Sequence, residues 1–162
     1  MKTHRALAAL AAICLASHAA AATHVRCTTS AGGLAFGVYN PLSAGGDAST
    51  ESLTVTCNAH GNGSATVSPI VTLSTGLSGS YGTRKMFSGV NPLNYNIYLS
   101  TAYNQIVGDG TGGTAVGTTT PFVVVAGGGS VTATWTLYGL IPASQNVLPG
   151  SYSDLITVTV TY

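Results

Sequence analysis

The sequence predicts an all-β domain, a β-sandwich or small barrel, and three observations predict it. Seven or eight short stretches alternate apolar with polar residues, each bounded by Gly, Pro, Asn or Ser. Glycine, serine and threonine are abundant and no helical stretch stands out. No repeat or linker divides the chain, so one domain accounts for its length.

Residues 1–22 are set aside as a secretory signal peptide. Lys2, His4 and Arg5 give a positive start, and Ala6–Ala16 is a short apolar run carrying Leu7, Leu10, Ile13 and Leu15. Ala20-Ala21-Ala22 then offers a small-residue cleavage site, with the cut expected after Ala22. The run is too short to span a bilayer, and no later stretch is long and apolar enough to be a membrane helix. Residues 23–162 are expected to form one exported domain without membrane insertion.

Within that domain, Thr23–Thr28 is a short strand with Val25 and Cys27 on one face. Gly32-Gly33 breaks it. Leu34, Phe36 and Val38 alternate in a second strand that Asn40-Pro41 stops, and 42–50 reads as loop. Leu53, Val55 and Cys57 alternate against Thr54 and Thr56, and Asn58–Ser64 is a turn. Ala65–Leu73 is the next strand, with Pro69 marking an edge or a bulge. A Gly/Ser stretch at Ser74–Gly82 leads to the short basic segment Arg84-Lys85-Met86-Phe87. Leu93, Tyr95, Ile97 and Leu99 alternate in a clear strand, and Gly108–Gly117 is loop. Pro121–Val125 is short and apolar. Val131, Ala133, Trp135 and Leu137 alternate against three threonines, which gives the single Trp a core-facing position.

The last strand shapes the reading most. From Asp154 to Tyr162 alternation is strict, with Ile156, Val158, Val160 and Tyr162 on one side and Leu155, Thr157, Thr159 and Thr161 on the other. Pro149-Gly150-Ser151 starts it sharply. Chain ends fray unless something ties them down, so a strand this apolar is paired inside the fold or offered to a partner.

Charge narrows the possible functions. Residues 23–162 hold three basic side chains (Arg26, Arg84, Lys85) and four acidic ones (Asp47, Glu51, Asp109, Asp154), a formal 3 − 4 = −1. That leaves no basic footprint for nucleic acid and no polybasic patch for lipid. Cys14 departs with the leader. Cys27 and Cys57 remain in an exported protein, and a disulfide between them is expected. Closing that loop stabilises the fold by roughly 3–4 kcal/mol in the chain-entropy picture.

No catalytic residue and no cofactor or metal is expected. His24 and His60 read as surface loop residues, no nucleophile elbow or zinc-binding motif is present, and the four carboxyl groups are scattered. Gly108-Asp109-Gly110 reads as a turn in which Asp109 caps backbone N–H groups.

A family pattern runs through these residues. A Cys near the mature start is followed by LAFGVYNPLS, a second Cys in LTVTC, and GTRKM ahead of LNYNIYLS. GDG, YGLIPASQ and PGSYSDLITVTVTY complete the series. The chain resembles the spore coat protein U domain family, to which subunits of archaic, Csu-type chaperone–usher pili belong. Val107 stands where the family often has Trp before Gly-Asp-Gly. The resemblance implies an immunoglobulin-like sandwich lacking its final strand. A periplasmic chaperone, and later a neighbouring pilus subunit at the outer-membrane usher, would supply that strand by β-augmentation. Carried over by position, Asp154–Tyr162 is the edge such a strand pairs with. Asp154 lies at its start, and Ile156, Val158, Val160 and Tyr162 line the groove or the core behind it.

Only Thr23–Arg26 lie between the expected cut and Cys27. Four residues reach about 13 Å, too little to fill a neighbour's groove. The expectation is a subunit that accepts a donor strand without giving one, as at a tip or cap, or a surface coat protein. The alternative is a self-contained secreted module for adhesion or carbohydrate binding, using Tyr81, Tyr98, Tyr103, Tyr138 and the loops around 74–92 and 100–120.

Overall fold

The computed structural model describes residues 22–162. The expected signal peptide, apart from Ala22, lies outside the described residues.

Nine strands follow in order: β1 (His24–Ser30), β2 (Asp47–His60), β3 (Ser64–Val67), β4 (Ile70–Leu73), β5 (Arg84–Ser88), β6 (Asn91–Tyr98), β7 (Phe122–Val125), β8 (Ser130–Ile141) and β9 (Val158–Thr161). Five of them form one antiparallel sheet in the order β1-β2-β8-β6-β5. The facing layer is built from two ladders, β3·β7 and β4·β9. This is a β-sandwich, as the alternating patterns predict, of the immunoglobulin-like kind that the resemblance implies. Each pattern buries one face: Leu53, Val55 and Cys57 of β2 are wholly enclosed and meet Ala133, Trp135 and Leu137 of β8 and Val67, Val71 and Leu73 of the facing layer. Trp135 donates its indole N–H to the Thr118 carbonyl at 3.0 Å, so its one polar atom is satisfied at the edge of the core. A Cβ at Gly117 would lie only 3.1 Å from the Trp135 ring, and its absence lets this segment pair closely with Val71.

Several boundaries differ from the sequence reading. Strand β2 begins at Asp47, inside the expected loop 42–50, because Asp47–Thr50 continue the pairing with Tyr138–Ile141 of a longer β8. The expected strand 65–73 is two strands, separated at Ser68-Pro69, with Pro69 itself buried. The basic segment is strand β5. The two histidines are strand residues at the exposed end of the β1·β2 ladder, directly opposite each other. The segment Leu34–Tyr39, expected as a strand, joins no ladder. Leu34, Phe36 and Tyr39 are half-buried, but Val38, expected on the same face as Leu34 and Phe36, is exposed.

Cys27 and Cys57 form a disulfide between directly opposed residues of β1 and β2. Beyond Ser30 the chain leaves the five-stranded sheet and runs as the extended segment 33–41 along the sandwich's open side.

Candidate functional site

The open side is defined by two extended segments that do not touch each other by backbone hydrogen bonds. One is Leu34–Tyr39. The other is the C-terminal stretch, which is split between two neighbours. Ser153 exchanges both backbone hydrogen bonds with Phe87 of β5 at 2.8 and 3.1 Å. Four residues on, Thr157 accepts from the Ser74 N–H at 3.0 Å. The register Leu73↔Val158, Val71↔Val160 then follows for β4·β9.

That register fixes which backbone groups are left over. Hydrogen-bonded and non-hydrogen-bonded pairs alternate in an antiparallel ladder. Since Ser74↔Thr157 is a bonded pair, Thr157, Thr159 and Thr161 spend their backbone groups on the β4 side. The N–H and C=O groups of Ile156, Val158 and Val160 therefore point to the other side, along the open edge.

Between this edge and Leu34–Tyr39 lie two cavities of about 520 and 600 Å³. They share Leu34, Phe36, Met86 and Tyr152 and so form one continuous groove. Its floor comes from the large sheet, from Tyr95, Ile97 and Leu137 at one end to Leu93 and Ile141 at the other. The wall at Phe36 is seated by a glycine: any side chain at Gly139 of β8 would meet the Phe36 ring at 2.6 Å. The same ring packs edge-on against Tyr95, with centroids 5.9 Å apart. Tyr39 holds the far end through its hydroxyl, which donates to the Pro142 carbonyl at 3.0 Å and accepts from the Gln145 N–H at 2.8 Å.

Of the residues singled out in the last strand, Ile156, Val158 and Val160 are half-buried against the core, and Ile156 and Val158 line the groove. Tyr162 follows the last ladder pair and is 54% exposed. The Asp154 carboxylate turns inward. It accepts from the Tyr95 hydroxyl and from the Leu77 and Leu155 N–H groups, each at 2.8 Å, so it ties the C-terminal stretch to β6 and to the 3-10 turn Gly76–Ser78. Burial, then the bond to Asp154, raises the Tyr95 hydroxyl well above the usual tyrosine range.

Sequence reasoning missed the residue beneath this brace. Arg84 is completely buried. Its guanidinium donates to the Ser74 carbonyl through Nε and Nη2, to the Val107 carbonyl at 2.7 Å and to Asn96 Oδ1 at 2.9 Å, and it lies 5.3 Å from the centre of the Tyr81 ring. Desolvation lowers its pKa, partly countered by Tyr95, Tyr81 and Asp154. Arg84 thus joins the start of the final pairing (Ser74) to the loop residue Val107, whose N–H bonds to Ile97 of β6. A lone Arg in GTRKM reads as surface charge, and no local signal marks it as buried.

Asp109 caps its own loop as expected, accepting from the Thr111 N–H and hydroxyl, and these bonds hold its carboxyl below the usual range. Among the described residues no group of three or more His, Cys, Asp or Glu side chains is placed to hold a metal, and no helix is long and apolar enough to cross a membrane.

Compared with known families, the Spore Coat Protein U domain matches residues 13–159. The chain belongs to this family. No curated protein sequence matches this spore coat protein U domain. Among solved structures its fold is similar to a chain of the CsuC–CsuE chaperone–tip adhesion subunit pre-assembly complex from the archaic chaperone–usher Csu pili of Acinetobacter baumannii, with a TM-score of 0.51 and 19% identity. The alignment covers 86% of this chain and 40% of that one. The spore coat protein U domain thus spans about two fifths of that chain's length, and the likeness is one of fold.

Proposed function

We propose that this domain is an exported structural subunit of a chaperone–usher pilus or cell-surface coat, completed by a strand from another chain. The observation that carries this is the groove, apolar along its floor and flanked by the unpaired backbone of Ile156, Val158 and Val160. A strand laid there gains main-chain hydrogen bonds to that edge and buries alternate side chains against Met86, Ile97 and Leu137. Finishing the burial of each large apolar side chain is worth up to about 1.5–3 kcal/mol. Several such side chains line the groove, and a domain's whole stability is about 5–15 kcal/mol. Filling the groove therefore decides whether the domain persists. The partners are a periplasmic chaperone before assembly and a neighbouring subunit after it, delivered at an outer-membrane usher. The protein passes through the periplasm to the cell surface.

A tip or capping position fits the same proposal. From His24 onward every residue of β1 is already paired with β2, so none is available as a donor arm. Intact mass of the exported protein tests this: a start far upstream of Ala22 would supply an arm and remove the tip argument.

Adhesion is favoured by a separate observation. Val38, Leu42, Val90 and Leu148 are all well exposed, and Val38, Pro41 and Leu148 rim the same cavity, with Ser88 of the β5–β6 hairpin against Gly150. An apolar end of this kind suits contact with a surface.

The deciding experiment expresses the precursor in a bacterial periplasm with and without a candidate archaic chaperone. A one-to-one complex, lost on deleting Ser153–Tyr162, is expected. A soluble monomer that melts cooperatively without any partner would overturn the proposal.

A further inference from the structure

The groove is largely apolar, but two carboxylates line it, and one of them belongs to the inward row of β2. Leu53, Val55 and Cys57 form the wholly buried row of β2. Glu51 continues that row at the mouth of the sandwich, opposite Leu137 of β8, so its carboxylate lies on the apolar side of the sheet. It lines the groove together with Leu34, Phe36 and Ile156.

Its hydrogen bonding is incomplete. Among the described residues one group donates to it, the Gly32 N–H to Oε1. The other carboxylate on the groove, Asp154, already has three donors. No lysine or arginine lines either cavity, and the Arg84 guanidinium gives its bonds to Ser74, Val107 and Asn96. While the groove is open, water serves the remaining Glu51 oxygen. A wholly apolar strand would displace that water and leave a charge unpaired, which is costly.

We propose that the strand which fills this groove carries a lysine or arginine at the residue facing Glu51, with large apolar residues at the alternate positions on either side. This rests on the strand-accepting reading above. The pairing has a consequence for register. A strand that simply alternates fits its groove equally well after a slip of two residues, because the same face still points inward. One charge pair singles out one alignment, and it discriminates against apolar strands from unrelated proteins.

The test uses the whole chain, extended past Tyr162 by a flexible Asn/Gly linker and a twelve-residue alternating strand. Lysine, glutamine or glutamate is placed in turn at each inward-facing position, in the natural background and in Glu51→Gln. Melting temperature and monomer yield are read. At one position only, lysine should melt about 3–6 °C above glutamine and glutamate should melt lowest. The preference should vanish in Glu51→Gln. If extended chains are stabilised alike whatever the charge, or if lysine is preferred equally in Glu51→Gln, the inference is overturned and the groove reading stands. If no extended chain is stabilised, the groove reading itself falls, and this inference with it.

Discussion

At the scale of single residues, two buried polar side chains brace the region around the C-terminal stretch. Tyr95 bonds Asp154 directly, and Arg84 holds the Ser74 carbonyl beside it. Arg84 satisfies carbonyls of Ser74 and Val107 with a planar fork, and a lysine cannot reproduce that geometry. Arg84→Lys should destabilise the strand-complemented protein by about 2 kcal/mol or more, since buried acceptors lose their donors; urea unfolding reads this directly. Tyr95→Phe strands one Asp154 oxygen and should cost about 1–3 kcal/mol. The pH dependence has a definite sign. The folded-state pKa of Tyr95 is raised by burial, so the fold favours the protonated phenol. Its contribution is complete below the unfolded value near pH 10 and is lost as the pH rises above that. The Tyr95→Phe protein should lose less stability between pH 9 and pH 11 than its parent. An equal loss would assign the alkaline transition to other groups. None of this was legible in the sequence. The partners of Arg84 lie 10 and 23 residues away, and burial of a cation by distant carbonyls leaves no periodic trace.

At the scale of elements, legibility followed the availability of a partner. The alternation at Leu93–Leu99 and Val131–Leu137 read correctly because both faces of those strands are decided within this chain, although the second face of Leu93–Leu99 carries the buried Asn96 rather than a solvated residue. Leu34–Tyr39 alternates just as well, yet it forms no ladder. Period 2 reports which face is buried and says nothing about whether a neighbour exists to bond. Only half of the last stretch is laddered for the same reason. The backbone geometry of β9 separates its two sides by mutation. Proline is tolerated where a strand's N–H is not used in the ladder. Val158→Pro removes an N–H that points along the open edge and spares those used by β4. It should leave the sandwich folded when a strand is appended by other means, and reduce chaperone co-purification at least tenfold. Thr159→Pro, one residue on, breaks the ladder with β4 and should abolish soluble protein altogether. Equal behaviour of the two variants would contradict the assigned edge.

At the scale of the whole molecule, low charge and open edges act together. Five Lys or Arg and four Asp or Glu serve 162 residues, and Arg84 and Asp154 are turned inward, so the surface has few of the charges that keep strand edges apart. Without a bound strand the domain should self-associate at micromolar concentration, and light scattering should fall when the groove is filled. The cystine matters on this scale as well. Cys27 holds β1 to the central sheet, and the groove wall 33–41 continues from β1. A Cys27→Ser/Cys57→Ser protein should lose about 3–4 kcal/mol, read by chemical unfolding of a strand-complemented form. It should also bind the proposed chaperone less well than the loss of stability alone accounts for.

That cystine also has a mechanical meaning. Strands β1 and β2 are antiparallel, and His24↔His60 is the outermost pair. A pull on the amino-terminal side would open their ladder like a zip, one pair at a time. After His24, Val25 and Arg26 the tear meets a covalent rung at Cys27–Cys57. Load then passes straight into β2, in the body of the five-stranded sheet, and the 30-residue loop behind the rung stays locked. Stretched singly, the oxidised molecule should hide roughly 100 Å of contour length that a reducing agent releases.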